Sequence, residues 1–322
     1  MDEERNGLIM NQWQLPSKEI ALELSSYCGA NCVCCPHADF PLKNRNMDYD
    51  LFVKCVDDAA CHGAISIDIC LMGDALLDPD IEHKLQYCRE HYPDLKIYCS
   101  STAQTATPEF VSKYIDTLQI SMYGMTKEVY ESVHRGGLKF EKTIQNIEGI
   151  LALPKEKRPY ITMVFLLLDE NKHQMEEWKR KWEPLADEIL IWRTHNWAGR
   201  YVVNAPSKEK LRSAKSCFRP FGGDLCVWVN GDVTVCCFSE DKRLVVGNMY
   251  EQTLEEIYKG RRMKEIQEIH KNNAFYQCGL PCEKCDQIFP RTDALVYSSK
   301  NRTVGQKISH PDHVYKFEDG LQ

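Results

Sequence analysis

Along the first two thirds of the chain, segments with the apolar pattern of a strand alternate with segments that have the apolar spacing of a helix. Short alternating or continuous apolar runs predict strands, and apolar residues at helical spacing follow most of them. The six predicted strands lie at 20–27, 65–73, 96–102, 117–124, 160–168 and 188–195. A single long helical stretch is predicted over 126–152, between the fourth and fifth strands. This strand–helix alternation favours parallel pairing with right-handed crossovers, so the predicted fold class is α/β.

A parallel sheet of this kind curls into a barrel or partial barrel, with its chemistry at the C-terminal ends of the strands. We therefore predict a partial (β/α)6 TIM-like barrel. Beyond the sixth strand the pattern changes, because 224–237 read as two alternating strands joined by Asn230 and Gly231, a strong hairpin signal. The predicted boundaries are 1–18 for a polar lead-in, 19–203 for the barrel, 204–290 for a small β-hairpin-plus-helix domain and 291–322 for a C-terminal tail.

Composition narrows the classes of protein that fit. The longest apolar run, 161–168, is too short to span a membrane, and the charged N-terminus leads into no signal segment, so we expect a cytoplasmic protein. The net charge of −7, with both signs mixed, argues against nucleic-acid binding. The chain has 16 cysteines. In the reducing cytoplasm, so many thiols indicate metal binding or catalysis rather than disulfides.

Three cysteines follow the first predicted strand in one short loop. Cys28, Cys32 and Cys35 are spaced as Cys-x3-Cys-x2-Cys and precede Pro36. Three thiolates can hold three corners of an iron–sulfur cube and leave the fourth iron open to a small molecule. A zinc site is the alternative, but zinc prefers four closed ligands, and only Cys34 or His37 is close in sequence.

A second set of cysteines surrounds the predicted hairpin and the helix after it. It consists of Cys217, Cys236, Cys282 and Cys285, the last two in a Cys-x2-Cys pair. Four thiolates would close a cluster completely, whereas a zinc ribbon uses the same half-site, and the spacing alone does not separate the two. Cys278 is a rival to Cys282, although the Cys-x2-Cys partner favours Cys282.

The cysteine loop resembles the signature of the radical S-adenosylmethionine (AdoMet) superfamily, and 217–286 resembles the twitch form of the SPASM extension. The likeness includes the Asn-Gly hairpin before Cys236, the stretch GNMYEQTLEEIYKG and the terminal Cys-x2-Cys. It covers nearly the whole chain and implies two [4Fe–4S] clusters. AdoMet would bind the open iron of the first, and its reductive cleavage would give a 5′-deoxyadenosyl radical. The arrangement is similar to that of aminocyclitol dehydrogenases in this superfamily.

The resemblance also implies which residues contact AdoMet. These lie at the ends of strands two to four and just beyond: Met72, Gly73, Asp74, Ser100, Ser101, Thr102, Ser121 and Arg135. Met72 and Asp74 depart from the Gly-Gly-Glu-like motif of relatives. An ordinary role in turns is the alternative for each residue.

Three further residues are candidates for chemistry on the substrate. Cys237 is next to the cluster ligand Cys236, and in some related epimerases such a cysteine donates hydrogen; the alternative is a core cysteine. Arg193 and His195 end the sixth strand, where they offer a cation and a base near neutral pH. A hydrogen-bonded hinge between the two domains is the alternative for that segment.

These features predict hydrogen abstraction from a small hydroxyl-rich substrate (a sugar, aminoglycoside or aminocyclitol), giving dehydrogenation or epimerisation. A radical AdoMet enzyme that modifies peptides, such as an epimerase, is the second hypothesis, and a zinc-stabilised binding protein without enzymatic activity is the third. The resemblance implies a flavodoxin or ferredoxin as reductant. The sequence predicts no membrane partner and gives no oligomeric state.

Overall fold

A computed structural model describes residues 13–201, 207–239, 241–289 and 295–300. Its strands are β1 (Glu19–Leu22), β2 (Ser66–Asp68), β3 (Lys96–Ser101), β4 (Thr117–Ser121), β5 (Tyr160–Leu167), β6 (Glu188–Arg193), β7 (Leu225–Val227), β8 (Asp232–Thr234), β9 (Val245–Asn248) and β10 (Leu295–Ser298). Its α-helices are α1 (Tyr49–Cys61), α2 (Ile81–His91), α3 (Pro108–Tyr114), α4 (Lys127–His134), α5 (Phe140–Leu151), α6 (Met175–Trp182), α7 (Lys208–Leu211), α8 (Arg219–Gly222), α9 (Leu254–Lys259) and α10 (Arg261–Lys271).

The described strands form one sheet in the order β10-β6-β5-β4-β3-β2-β1-β7-β8-β9. Strands β1 to β6 pair in parallel with their sequence neighbours, as the alternating pattern predicts. Among the described strands, β1 and β6 do not pair with each other, so the parallel part is an open, partial barrel. The α/β prediction is confirmed.

The two faces of the parallel strands have different chemistry. On β3, Ile97 and Cys99 are fully buried in the main hydrophobic core with the helices. Alternate positions point to the other face, where Ser100 and Gln119 line a cavity. The inner face of the partial barrel is therefore polar near the strand ends, which is where a ligand would be recognised.

The long helical stretch predicted over 126–152 is wrong, because two helices, α4 and α5, occupy it. Arg135 ends α4 with φ of 51°, and Gly136 follows with φ of 67°. Two successive residues in the left-handed region cannot continue a right-handed helix. The resulting turn, over 134–137, hydrogen-bonds to the cysteine loop.

The C-terminal segment extends the barrel sheet at both edges. The predicted hairpin is confirmed as β7 and β8, with Gly231 at φ of 81° in its turn, and the capping box of Thr253 and Glu256 is present at α9. Strand β7 pairs in parallel with β1, and β10 pairs antiparallel with β6. Residues 295–298, predicted as part of a tail, thus form an edge strand.

No helix in the described part of the chain has both the length and the apolar character needed to cross a membrane.

Candidate active site

The cysteine loop that follows β1 is held by the turn after α4. Backbone N–H groups of Asn31 and Gly137 donate to the carbonyls of His134 and Gly29, both at 2.8 Å. A Cβ on Gly136 would lie 2.5 Å from the Gly29 oxygen, so only glycine permits this approach. The two segments, distant in sequence, therefore fix each other's backbone.

The three predicted cluster thiols meet at one cavity of about 240 Å³. Cys28, Cys32 and Cys35 are all half-buried and line it. Burial, followed by the charges of Asp74 and Cys35, raises the pKa of Cys28 to about 12. Burial and three neighbouring thiols likewise raise the pKa of Cys32. Thiolates gathered this closely repel one another, and bound iron would relieve that repulsion.

His134 lies against this site; from the sequence, its place near the end of the fourth strand made it only a weaker candidate for substrate chemistry. Burial lowers the pKa of His134 to about 3, so the ring is neutral. Its Nε2 accepts a hydrogen bond from the Tyr123 backbone N–H at 3.3 Å, which places the proton on Nδ1. Nδ1 is 3.3 Å from the sulfur of Cys32. His134 is therefore a neutral hydrogen-bond donor to a predicted cluster ligand.

Most residues that the resemblance assigned to AdoMet line the same cavity. They are Gly73, Asp74, Ser100, Ser101, Thr102 and Ser121. The Asp74 carboxylate accepts hydrogen bonds from Ser101 Oγ at 2.8 Å and from the Leu76 backbone N–H at 3.2 Å. Burial raises the pKa of Asp74, although these hydrogen bonds oppose the shift. Asp74 is thus a fixed acceptor at the cavity wall.

Close packing of the backbone explains why position 73 is a glycine. A Cβ there would lie 2.1 Å from the Ser25 carbonyl oxygen, on the segment that leaves β1. The neighbouring Asp74 N–H donates to the Tyr27 carbonyl at 2.8 Å. The glycine therefore allows the β2 and β1 loops to pack backbone against backbone.

Two predicted residues do not bring their side chains to this cavity. Met72 is buried with Phe40 and Trp228 in a separate cluster. Arg135 is exposed, and its Nε donates to the Ser132 carbonyl at 3.4 Å. In the HRGG turn, His134 faces the thiols, while Arg135 faces outwards.

The segment after β6 joins the cavity to the C-terminal domain. Arg193 is buried, and His195 is half-buried and stacks on Phe238 with ring centroids 3.8 Å apart. Nδ1 of His195 accepts from the Trp197 backbone N–H at 3.1 Å, so the neutral ring carries its proton on Nε2. In this arrangement Nε2 of His195 is a hydrogen-bond donor, and the catalytic role of His195 stays a prediction.

Trp197 is a cavity residue that sequence reasoning missed. Its indole N–H donates to the Cys34 carbonyl at 2.7 Å, and the ring lines the cavity. Trp197 and Ala198 have φ of 49° and 53°, a conformation rare for residues other than glycine. Asn196 holds this strained turn through hydrogen bonds to Lys284 and Asp286, so the hinge reading of the segment also applies.

Two more cavity residues were weaker candidates from the sequence, Cys34 as a zinc ligand and Tyr123 near the end of the fourth strand, and those it did not single out are Ala30, Leu71, Gln119 and Leu166. Gln119 was identifiable, because it lies two positions before Ser121 on β4 and shares its face. Leu71 and Leu166 carry no chemical signal.

The second cysteine set also comes together. Burial, then the charges of Cys236, Cys285 and Cys217, raises the pKa of Cys282. Cys282 and Cys285 face each other across a tight turn, with the Cys285 N–H donating to the Cys282 carbonyl at 3.1 Å. For Cys278, burial raises the pKa and Glu283 is the charged neighbour that adds to the shift. Cys282, rather than Cys278, therefore belongs to the compact set of four thiols.

Arg219 lies beside Cys217, Cys236 and Cys285 of this set, and no sequence signal pointed to it. Its guanidinium carbon is 4.4 Å from the centroid of Phe238, and the side chain hydrogen-bonds Cys237. Burial acts to lower the pKa of Arg219, but the charges of Cys237, Cys236 and other nearby thiols outweigh it and raise the pKa. Cys237 itself is not among the residues that line the cavity.

Both sets suit iron–sulfur clusters. Within the described residues, no three His, Cys, Asp or Glu side chains converge as ligands of a single metal ion do. A cube of iron and sulfide holds its cysteines at separate corners, so its ligands need not converge on one point. The first set of three thiols would leave one corner of such a cube open beside the cavity, and the second set of four would close all four corners.

Comparison with known proteins agrees with this geometry. Residues 217–286 match the SPASM iron–sulfur cluster-binding domain. BtrN in complex with AdoMet and 2-DOIA aligns with a TM-score of 0.59 and 17% identity, covering 85% of this chain and 94% of that one. Native anSMEcpe with bound AdoMet gives 0.63 and 13%, covering 86% and 92%. Streptococcus suis SuiB bound to precursor peptide SuiA gives 0.63 and 16%, covering 88% and 73%. No curated protein matches the chain.

The match over 217–286 and the shared fold agree with the predicted resemblance: the chain has the fold of these solved structures and carries a segment that matches the SPASM iron–sulfur cluster-binding domain.

Proposed function

We propose that this protein is a radical AdoMet oxidoreductase that removes hydrogen from a small, hydroxyl-rich substrate. The observation that carries the proposal is the single cavity in which Cys28, Cys32 and Cys35 meet the polar ends of β2, β3 and β4. When bound, the first cluster and AdoMet supply the deoxyadenosyl radical that abstracts hydrogen. The protein's part is to position both reactants and exclude water.

Asp74, with Ser101 and Thr102, forms a wall of the cavity in which each polar atom is already oriented. Ser101 Oγ and the Thr102 hydroxyl both donate to Asp74, at 2.8 and 3.3 Å. A preorganised wall does not need to rearrange when a polar ligand such as AdoMet binds. Trp197 lines the cavity on the side of the cysteine loop, where its indole would help to exclude water.

The inner face of β3 and β4 offers hydrogen bonds to a polar substrate. Gln119 Nε2 donates to Ser100 Oγ at 3.2 Å, and Tyr123 Oη donates to Ser121 Oγ at 3.1 Å. These amide and hydroxyl groups match the hydroxyls of a sugar or aminocyclitol better than they match an apolar side chain. BtrN, a structural relative, was solved with AdoMet and 2-DOIA.

The position of Cys237 favours oxidation over epimerisation. An epimerase of the kind expected from the sequence needs the Cys237 thiol at the substrate. Here the Cys237 thiol is hydrogen-bonded to Arg219, and Cys237 is not among the residues that line the cavity. An oxidation instead needs an acceptor for one electron and one proton of the substrate radical; Cys217, Cys236, Cys282 and Cys285 would hold the cluster that supplies the electron acceptor, and solvent or a cavity base would take the proton. We expect a flavodoxin or ferredoxin to supply the electron that starts each turnover.

Peptide modification is the second candidate, because SuiB was solved with a bound precursor peptide. A peptide would enter the same cavity as an extended chain. A zinc-stabilised binding protein would use the same cysteines without radical chemistry. The substrate panel and the metal analysis described next separate these hypotheses.

The test is anaerobic reconstitution followed by turnover. We expect about eight irons per chain, falling to about four in the Cys28→Ala/Cys32→Ala/Cys35→Ala variant. The wild type should release 5′-deoxyadenosine with AdoMet and reductant, and the triple variant should not. Cys61→Ala, at the exposed end of α1, is the matched control and should keep all iron.

Deuterated aminocyclitols, sugars and short peptides then identify the substrate class. We expect deuterium in 5′-deoxyadenosine and a product two hydrogens lighter from a polyol. Deuterium transfer from a peptide alone would establish the second candidate. Zinc in place of iron, or no nucleoside under any condition, would overturn both.

A further inference from the structure

The backbone turns sharply just after Cys217, at Phe218, and leads into Arg219, whose side chain is half-buried. Phe218 has φ of 66°, and its side chain is 72% exposed, an unusual position for a large apolar residue. The next residue, Arg219, begins α8. A strained residue thus turns its own aromatic ring to solvent while the neighbouring cation points to the thiols.

Arg219 is held there by two contacts on different sides. Its guanidinium carbon lies 4.4 Å from the Phe238 ring centroid, and its side chain hydrogen-bonds Cys237. Phe238 packs in turn in the small hydrophobic cluster that contains Cys282 and Cys285. A planar guanidinium suits this combination of stacking and directed hydrogen bonding better than an ammonium group does.

The charges that act most strongly on Arg219 are those of cysteines, and Asp224 interacts with it more weakly. Across the described ranges, no carboxylate lies within ion-pair distance of its guanidinium. A half-buried cation is stabilised by a nearby negative charge. Four thiolates around an iron–sulfur cube carry a net negative charge, and Arg219 lies next to that set.

We propose that Arg219 sets the reduction potential of the cluster bound by Cys217, Cys236, Cys282 and Cys285, and makes that cluster a better electron acceptor. Reduction adds one electron to the cluster and no proton to the guanidinium, which stays charged throughout. A fixed cation at close range therefore stabilises the reduced form more than the oxidised form. This deepens the proposed function, because a substrate radical needs an acceptor for its electron.

The test is a redox titration of the reconstituted two-cluster protein, followed by electron paramagnetic resonance. At the potential where the second cluster is half reduced in the wild type, Arg219→Gln should lower the reduced-to-oxidised ratio at least tenfold, which corresponds to about 59 mV for one electron. Arg219→Lys, which keeps the charge, should shift it less. The first cluster should be unchanged in every variant.

Arg261→Gln is the matched control, because Arg261 is an exposed arginine of α10 whose loss changes the net charge equally. It should leave both clusters unchanged. Arg219→Met provides a second neutral variant that retains the bulk of the side chain.

An unchanged potential in a neutral variant that retains its iron would overturn the proposal. Loss of the second cluster from both neutral variants, with loading kept in Arg219→Lys, would also overturn it and assign the cation a structural role. The titration uses no substrate, so a shifted potential without turnover would sink the proposed function and leave this inference standing.

Discussion

The two cysteine sites of this protein differ in the polar group that stands beside their sulfurs. At the first site, neutral His134 approaches Cys32 at 3.3 Å, and three thiols border a cavity. At the second, the cation Arg219 lies beside a set of four thiols and stacks on Phe238. One site is open with a neutral neighbour, and the other is closed with a charged one.

The difference matches the task proposed for each site. An open corner beside a cavity allows a ligand to reach iron, whereas four protein ligands leave none free. The Arg219 cation beside the second set favours electron acceptance there. Ligand number and local charge thus separate two sites built from the same side chain.

The largest effect is expected from removal of a second-site ligand. Cys285→Ala should lower iron from about eight to about four per chain and abolish product, because the electron acceptor is lost. Release of 5′-deoxyadenosine should persist, since the first site is intact. Iron analysis and nucleoside chromatography measure both results.

Cys278→Ala is the control for that experiment, because Cys278 lies near the set but outside the compact group of four. It should keep about eight irons. If Cys278→Ala loses the cluster and Cys282→Ala keeps it, the ligand assignment is wrong.

A smaller effect is expected from Asp74, which sharpens the view of the first site as a ligand cavity. Asp74→Ala removes the acceptor of the Ser101 and Leu76 hydrogen bonds. Hydrogen bonds to a charged group contribute about 1.5–3 kcal/mol, so AdoMet affinity should fall roughly 10- to 100-fold. Equilibrium dialysis of the iron-loaded protein measures it. Asp80→Ala, a half-exposed carboxylate beside α2, should bind AdoMet normally, and equal affinity in both variants would contradict a role for Asp74.

Trp197→Phe tests whether the segment after β6 stabilises the first site. The change removes the indole hydrogen bond to the Cys34 carbonyl, a loss of about 1 kcal/mol, so iron should leave the first cluster several-fold faster. Trp182→Phe is the control, since the Trp182 indole N–H has no partner within the described residues. Equal rates of iron release in the two variants would show that the hydrogen bond does not stabilise the loop.

The smallest effect is expected from a cysteine outside both sites. Cys99 is fully buried in the main core. Cys99→Ala should leave iron and activity unchanged and lower the free energy of unfolding by about 1 kcal/mol, because it creates a small cavity. Chemical denaturation measures the change, and loss of iron would show that Cys99 is a cluster ligand.

Local patterns were sufficient to predict the parallel strands, the hairpin and both cysteine sets. Alternation over a few residues identifies a strand face, and Cys-x3-Cys-x2-Cys limits the ligands to one loop. The same locality explains the failures. The pattern over 126–152 stays helical through the HRGG turn, so it did not show that Arg135 reverses the chain and that His134, rather than Arg135, faces the thiols.

The sequence by itself thus determined the fold class, the hairpin and which cysteines are grouped. Tertiary structure decided what stands beside them: the pairing of β7 with β1, the tautomer of His195, the indole of Trp197 and the cation of Arg219. The physical reason is the separation along the chain of the residues that interact. Periodicity records contacts with neighbours along the chain, whereas the charge and hydrogen bonds around a thiol come from segments that meet only after folding.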